Sequence, residues 1–408
     1  MDKSGVEVTA GPWGASGVKR ASETFRFNDE LLLAQEDRDL AARSFPDVFF
    51  ALDHPALRAD FVRLDREARR AKARSRAFGL AAIGLALASL LTFPLEPVVR
   101  IFLGDAAPDP GVLRALAFAG AASGVLAIVF GNLGLGFGAS KRDWLYRRLS
   151  CERLRQWHAQ YQLATATDIA AASGDPERRK AYEQERAIAY ERFRRSFLGQ
   201  VSSEFSKYTQ RNAAGRISGR ALTASDMRAF WIDPSWADLA RRKLQEGEGQ
   251  ALEKVRSAYT SIRLQGQVQY TNHVLSDSGR FWSHPARQIR LLTAASYTLV
   301  ALAFLVNFGA TLLAIARPPT PVDMALVSVA MALALLAVGA RALQEGLHPQ
   351  QELNRMENYA IAVAHAQQEI QSAKGPREAL LAAQLLERAS TEEMLDFLIT
   401  NDRARFVL

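Results

Sequence analysis

Apolar residues are concentrated in four uncharged segments of this chain, and polar, arginine-rich sequence separates them. The segments comprise residues 77–95, 115–140, 291–316 and 324–340. A helix rises about 1.5 Å per residue, so roughly 20 residues cross a hydrocarbon layer of ~30 Å. The second and third segments exceed this length, the first just reaches it, and the fourth is marginal. The tight linker between the last two favours a membrane hairpin over the alternative, a buried helix pair of a soluble protein.

Basic residues flank these segments unevenly, and this asymmetry predicts their orientation. Those before the first segment are Arg63, Arg66, Arg69, Arg70, Lys72, Arg74 and Arg76. Those after the second are Lys141, Arg142, Arg147, Arg148, Arg153 and Arg155. The short loops within the two pairs hold only Arg100, Arg114 and Arg317. Because Lys and Arg beside a span stay in the cytoplasm, we expect a bacterial inner-membrane protein with residues 141–289 and both termini cytoplasmic.

The polar regions also have helical spacing, and no strand pattern of any length is present. The predicted fold class is therefore all-α, a polytopic membrane protein with four transmembrane helices in two hairpins and a helical cytoplasmic region. The predicted regions are a flexible lead at 1–44, an amphipathic helix and first hairpin at 45–140, a cytoplasmic helical region at 141–289, a second hairpin at 290–341 and C-terminal cytoplasmic helices at 342–408. Within the last, Ser390 and Glu393 match a capping box and predict a final short helix.

Composition excludes several classes of function. The single cysteine, Cys151, rules out an internal disulfide and a multi-cysteine metal site. Six histidines are scattered without metal-ligand spacing, and neither a nucleophile motif nor a phosphate-binding lysine motif occurs. We therefore expect no enzyme activity, no metal and no cofactor. The net charge of +8 follows from the topology signal, so nucleic acid is not an expected partner.

Glycines and two asparagines are the unusual residues of the apolar segments. The candidates for helix packing or a pore are Gly120, Gly124, Gly131, Asn132, Gly134, Gly138 and Asn307. Gly120 and Gly124 have the spacing that lets two membrane helices approach closely. Asn132 and Asn307 are costly in lipid, so each should face another helix or a water-filled path. Helix packing and pore lining both remain open.

Paired arginines occur on the polar faces of the predicted cytoplasmic helices, usually beside acidic residues. Such patterns are typical of solvated or ion-paired surfaces. The functional alternative is a site for an anionic ligand, such as a nucleotide second messenger, because guanidinium groups match phosphates and aromatic rings stack on bases. The candidate residues for that site are Arg147, Arg148, Arg155, Trp157 and Tyr161.

Two segments resemble parts of a known group. Residues 143–155, DWLYRRLSCERLR, resemble the polar helix after the second span of the SLATT group, membrane proteins of prokaryotic conflict systems. Residues 270–287 are similar to the aromatic and basic approach to a first span in that group. The two hairpins of this chain depart from the single-hairpin unit. The resemblance implies an antiviral defence effector that oligomerises in the inner membrane and permeabilises it when a partner protein or nucleotide signals phage infection.

Two hypotheses of function follow. The first is a non-enzymatic, homo-oligomeric effector or ion channel whose partners are the lipid bilayer, further copies of itself and a nucleotide or defence-system protein. Uncharged, glycine-bearing spans suit hairpins that assemble with one another. The alternative is a membrane-anchored scaffold or adaptor that recruits cytoplasmic partners through its long helices.

Overall fold

A computed structural model describes residues 29–102, 110–131, 137–198, 248–276, 284–318 and 320–403. These residues are helical and include no strand, which confirms the all-α class. The helices, numbered in the order in which they occur in these ranges, are α1 Gln35–Ser44, α2 Phe49–Leu52, α3 Pro55–Phe102, α4 Pro110–Gly131, α5 Phe137–Ala164, α6 Ala166–Ala172, α7 Pro176–Ser196, α8 Glu248–Tyr259, α9 Gln265–Leu275, α10 Pro285–Ala316, α11 Pro321–Leu347, α12 Pro349–Ser372 and α13 Pro376–Arg403. A 3-10 turn, Asp29–Leu31, precedes α1, and a π-helical segment, Thr260–Leu264, joins α8 to α9.

Four helices, α3, α4, α10 and α11, are long and apolar enough to cross a membrane by length and composition. Helices α3, α10 and α11 contain the first, third and fourth predicted apolar segments, while α4 contains residues 115–131 of the second segment, whose residues 137–140 begin α5. Helix α3 is 48 residues long, which corresponds to roughly 70 Å. Its polar first half packs with a separate group of polar helices, here called the body. Its apolar second half packs with the other three apolar helices, here called the bundle.

Small residues bring the four apolar helices together in the order α4, α3, α11, α10. A Cβ atom on Gly120 of α4 would lie 2.5 Å from Thr92 Oγ1 of α3. A Cβ atom on Gly339 of α11 would lie 2.5 Å from Leu87 Cδ1, also on α3. Both distances are far inside van der Waals contact, so a larger residue at either position would force the facing side chain or the helix to shift.

The contact between α10 and α11 also uses small side chains. Those buried are Ser296, Ala303 and Ala310 on α10 and Ala330 and Ala337 on α11. The three on α10 recur every seven residues, the spacing that keeps one face of a helix against a partner helix in a left-handed supercoil. Hence α10 and α11 pack with little space between their backbones.

Large apolar side chains cover the outside of the bundle. Phe118 of α4 is 77% exposed and Ile315 of α10 is 79% exposed, and similar residues surround them. Apolar area exposed to water costs about 25 cal/mol per Å², and soluble proteins rarely leave such a continuous apolar surface uncovered. The outside of the bundle is therefore suited to contact with hydrocarbon.

The polar body is built from α5 to α9, α12, α13 and the first half of α3. Its core contains Trp157, Phe61 and Leu154, which are almost fully buried. The predicted spacing of α8 is confirmed, since Leu252 and Val255 are also buried. The body thus has its own hydrophobic core, next to the apolar bundle.

Residues 29–44 differ from the flexible lead that we predicted for residues 1–44. Leu31 and Leu32 are buried in the body, and Leu40 and Ala41 attach α1 to it. The sequence signal is weak because only two buried pairs, and no long stripe, hold this segment. Residues 1–28 lie outside the described part of the chain.

The prediction of a separate, final short helix is wrong, because α13 runs without interruption from Pro376 to Arg403. Ser390 lies inside this helix, where its hydroxyl meets Arg263 and Tyr359 instead of capping a helix. Glu393 forms an ion pair with Arg355. A capping pattern and a pair of buried polar contacts therefore look alike in sequence.

Replacing Gly120 with leucine should destabilise the protein, because the added side chain meets Thr92 of α3. Overpacking of this kind typically costs about 1–3 kcal/mol. The matched control is Gly309→Leu on α10, where no atom lies within 4 Å of an added Cβ. Thermal unfolding of purified protein in detergent should show a lower midpoint for Gly120→Leu alone. Equal losses in both variants would contradict the assigned contact between α3 and α4.

Two buried histidines should make the body sensitive to acid. Burial and the positive charge of Arg186 lower the pKa of His54 to about 3. Burial, His54 and Arg186 hold the pKa of His158 well below its usual range. An unfolded histidine has a pKa of about 6.5, so below that pH the unfolded chain binds more protons and stability falls toward pH 3. Lowering the pH from about 7 to about 5 should therefore reduce the free energy of unfolding by about 2 kcal/mol for each histidine that stays neutral in the folded protein.

The test uses His54→Asn, because asparagine can still accept the Leu57 backbone N–H that His54 Nδ1 accepts at 3.4 Å. Unfolding midpoints measured between about pH 7 and pH 5 should depend less on pH in this variant than in the wild type. Exposed His365→Asn is the control and should leave the slope unchanged. An unaltered slope in His54→Asn would show that this histidine does not carry the acid sensitivity.

Candidate functional site: a basic cavity at the base of the apolar bundle

A cavity of about 230 Å³ lies where the apolar bundle meets the polar body. Helices α3, α5 and α9 to α13 all contribute to its wall, so it sits at the point where the chain repeatedly changes from polar to apolar sequence. Its basic side chains are Lys72, Arg76, Arg148, Arg155, Arg263 and Arg355. Its acidic side chains are Glu152, Glu352 and Glu393.

Arg263 forms the floor of the cavity in a fully paired ion cluster. Its Nη1 donates to Glu30 Oε2 at 2.7 Å, while Nε and Nη2 donate to the two carboxylate oxygens of Glu387 at 2.9 and 3.0 Å. Arg155 Nε lies 3.5 Å from Glu30 Oε1, so two guanidinium groups balance two carboxylates. Bidentate, charge-assisted contacts of this type are the strongest that side chains make.

Hydrogen bonds complete the floor. Tyr259 donates to Glu387 Oε1 at 2.8 Å, and Tyr359 donates to Gln267 Oε1 at 2.7 Å. Burial opposes the charge on Arg263, but Glu387 and Glu30 outweigh it and hold the pKa of Arg263 well above its usual value. Burial likewise opposes the charge on Glu30, and Arg263 and Arg155 nevertheless lower its pKa. The floor is therefore charged internally, and its charges are balanced by ion pairs.

The side wall is also neutralised by ion pairs. Arg148 pairs with Glu152 one turn later on α5. Arg355 of α12 pairs with both Glu352 and Glu393 and lies 5.1 Å from the centre of the Phe397 ring. The acidic side chains of the wall are thus occupied by arginines of the same wall.

The mouth differs, because Lys72 and Arg76 form no ion pair with any carboxylate among the described residues. They lie four residues apart on α3, on one face, directly before the first apolar segment. Lys72 Nζ lies 5.3 Å from the centre of the Trp144 ring. Burial, together with the positive charges of Arg76 and Arg148, lowers the pKa of Lys72 to about 7. The mouth consequently holds two adjacent basic side chains that lack a direct ion pair among the described residues, although the charge of Glu352 favours the charged form of both.

The structure brings together two of the five residues predicted for an anionic ligand. Arg148 and Arg155 are seven positions apart on α5 and both line the cavity. Arg147 lies on another face of α5, where it pairs with Glu67 and with Asp143.

The other two predicted residues lie elsewhere. Trp157 and Tyr161 stack with ring centres 4.9 Å apart inside the body, beside Tyr190. Both belong to the hydrophobic core and do not line the cavity. Trp157 and Tyr161 therefore lie on a different face of α5 from Arg148 and Arg155.

The glycines predicted for packing or a pore have different surroundings. Gly120 and Gly124 face α3 of the same chain, and a Cβ on Gly124 would lie 2.9 Å from Ser89 Oγ. Gly131 is half-buried at the end of α4, and Gly138 has open space beside it. Asn132 and Gly134 lie outside the described residues.

Asn307 lies on the outer face of α10, exposed, with no helix of the described chain over it. The sequence analysis expected it to face another helix or a wet path. Its backbone carbonyl accepts a hydrogen bond from Thr311 Oγ1 at 2.9 Å. Within a single chain, therefore, this amide is on the surface that the apolar side chains otherwise occupy.

The sequence analysis missed Lys72, Arg76 and Arg355 as site residues. The first two counted only toward topology, although their four-residue spacing beside Trp144 in a neighbouring polar helix was an available signal. Arg355 had no distinctive local signal. One of its partners, Glu352, lies on its own helix α12, and the other, Glu393, lies on α13.

Comparison of the chain with models of protein families, with curated proteins and with solved structures finds no match.

Proposed function

We propose that this chain is a non-enzymatic protein of the bacterial inner membrane that acts as a homo-oligomeric effector or channel. The observation that carries the proposal is the exposed apolar surface of the four-helix bundle, interrupted on α10 by the amide of Asn307. A bilayer would cover the apolar surface. A second copy would cover the amide.

The basic residues at the base of the bundle support a cytoplasmic position for the polar body. Those at this end include Lys72, Arg76, Lys141, Arg290 and Arg341. Positive charge next to a span is retained on the cytoplasmic side, so the body would lie in the cytoplasm and the loop between α10 and α11 outside.

Asn307 supports self-association. Phe304 and Phe308 on either side of it are 72% and 62% exposed, so the amide would lie within the hydrocarbon layer in an isolated copy. An amide without a partner there is costly, and asparagine amides often hydrogen-bond across membrane helices. Contact between α10 helices of two copies would pair these amides.

An ion path, on this proposal, lies between copies. Within one chain, glycine and alanine bring α3 against α4 and α10 against α11 at close range. The polar groups of Asn307 and Thr311 both lie on the outer face of α10, where they could line a path among otherwise apolar side chains. The trigger remains the one implied by the resemblance of residues 143–155 and 270–287, a nucleotide or a signalling protein.

Cysteine labelling should establish the orientation. Native Cys151 is a silent background, because it is fully buried and burial raises the pKa of its thiol to about 12. An impermeant maleimide should label Pro318→Cys, in the exposed loop after α10, in intact spheroplasts. Arg195→Cys on α7 should react only after lysis, since its side chain is exposed on the body. The reverse pattern would overturn the proposed topology.

Replacing Asn307 with leucine should weaken self-association roughly threefold to thirtyfold, the range expected for one interhelical hydrogen bond in a membrane. Resonance energy transfer between labelled copies in liposomes measures association, and ion flux from the same liposomes measures conduction. Phe308→Leu is the control, because it changes an exposed neighbour without removing an amide. Asn307→Ser should retain more association than Asn307→Leu.

The outcomes separate the two hypotheses. Flux that falls together with association in Asn307→Leu supports a channel formed between copies. Unchanged association in Asn307→Leu would place the contact elsewhere. Association without flux in the wild type, with the trigger present, would favour the scaffold or adaptor.

A further inference from the structure

We propose that the mouth of the basic cavity is a binding site for a phosphate-bearing anion, held by Lys72 and Arg76, and that this anion is the headgroup of an acidic phospholipid. The inference rests on the membrane placement proposed above but not on self-association or conduction. Its direct support is a juxtaposition: two unpaired cations and an indole beside a cavity at the polar end of the apolar bundle.

The charge pattern favours an anion at the mouth and nowhere else in the cavity. Arg263 and Arg155 are balanced by Glu30 and Glu387, and the wall arginines have their own glutamates. Glu352, the acidic residue that faces Arg76, is occupied by Arg355 and by Asn401, whose Nδ2 donates to it at 3.0 Å. Lys72 and Arg76 therefore feel the charge of Glu352 only through space and form no direct ion pair with a carboxylate among the described residues.

The chemistry of the two cations suits phosphate. A guanidinium presents a planar fork that can donate two hydrogen bonds to phosphate oxygens, and an ammonium adds a compact positive charge. One turn of helix separates Arg76 from Lys72, so both can reach one tetrahedral group. An incoming anion would also restore the charge of Lys72, which burial and its positive neighbours now disfavour.

The size of the cavity admits more than solvent. A water molecule occupies ~30 Å³ in the liquid, and the cavity of about 230 Å³ is several times larger. A phosphate with part of a glycerol fits such a volume. Val274, Pro285 and Leu347 supply apolar surface in the same wall, where the first carbons of an acyl chain could lie.

Position favours a lipid over a soluble phosphate. Arg76 directly precedes the first apolar segment, whereas Pro285 and Leu347 lie six and seven residues outside the apolar segments of α10 and α11, roughly 10 Å along each helix, so the cavity would lie at the level of the headgroups. Trp144 beside Lys72 also suits the headgroup level, where amphipathic rings are enriched. Basic pockets between helices at this depth are a known way to bind acidic headgroups.

The test measures lipid retained by the full chain in detergent. Protein is purified from mixed micelles that contain equal amounts of phosphatidylglycerol and phosphatidylcholine, and native mass spectrometry counts the bound lipids. The wild type should retain phosphatidylglycerol preferentially. The double variant Lys72→Gln, Arg76→Gln should bind it about thirtyfold more weakly, the effect expected for two basic contacts to an acidic surface.

A matched control removes the same charge from the same helix. Arg66 and Arg70 are also four residues apart on α3, but they are exposed and do not line the cavity. Arg66→Gln, Arg70→Gln should therefore retain phosphatidylglycerol like the wild type. The swap Lys72→Arg, Arg76→Lys keeps both charges and should also retain it, and unfolding midpoints show whether each variant is folded.

Inorganic phosphate and adenosine monophosphate distinguish the two sources of phosphate. Under the proposal, neither displaces phosphatidylglycerol at millimolar concentration. Displacement by either one at micromolar concentration, with no preference between the two lipids, would overturn the lipid assignment and identify a soluble phosphate ligand. Equal lipid retention by the wild type and a folded Lys72→Gln, Arg76→Gln variant would overturn the site itself.

Discussion

The buried ion cluster around Arg263 is the interaction on which the rest of the structure depends. Glu30 is 233 residues from Arg263 in sequence, and Glu387 is 124 residues away, yet all three side chains are almost without exposure. A buried charge that loses its partner costs about 3–5 kcal/mol, so none of the three can be displaced alone. The cluster consequently fixes the 3-10 turn, the π-helical segment and α13 in one arrangement, and the cavity above it has its shape because those three elements cannot move independently.

The apolar helices could be predicted from the sequence because each carries its own signal, a long uncharged segment. The body could be predicted only in part. Tyr182 and Leu252 lie in segments with helical spacing and are buried, whereas residues 29–44 are held by two pairs of buried apolar residues and by Glu30, whose partners all lie more than 100 residues away. Ser390 matched a local capping pattern, but its real contacts come from other helices.

The candidate site could be predicted only as far as local chemistry extends. The sequence named Arg148 and Arg155 only as two of three candidate arginines, and the fold shows that these two line the cavity together. Trp157 lies close to them in sequence but on another side of the helix, and only the packing of α7 shows that this side is core. Lys72 and Arg76 were recognised in the sequence only as a topology signal. A positive charge beside an apolar segment looks the same in sequence whether it contacts solvent, a headgroup or a bound ligand.

Helix α3 has a mechanical consequence as well as a structural one. It is a single rod of roughly 70 Å that contacts α5 in the body and both α4 and α11 in the bundle. A tilt of about 5° in a rod of this length displaces its far end by roughly 6 Å. A displacement applied near Lys72 would therefore be carried along the rod into the bundle, to the stretch around Pro94 and Pro97, where a helix bends most easily.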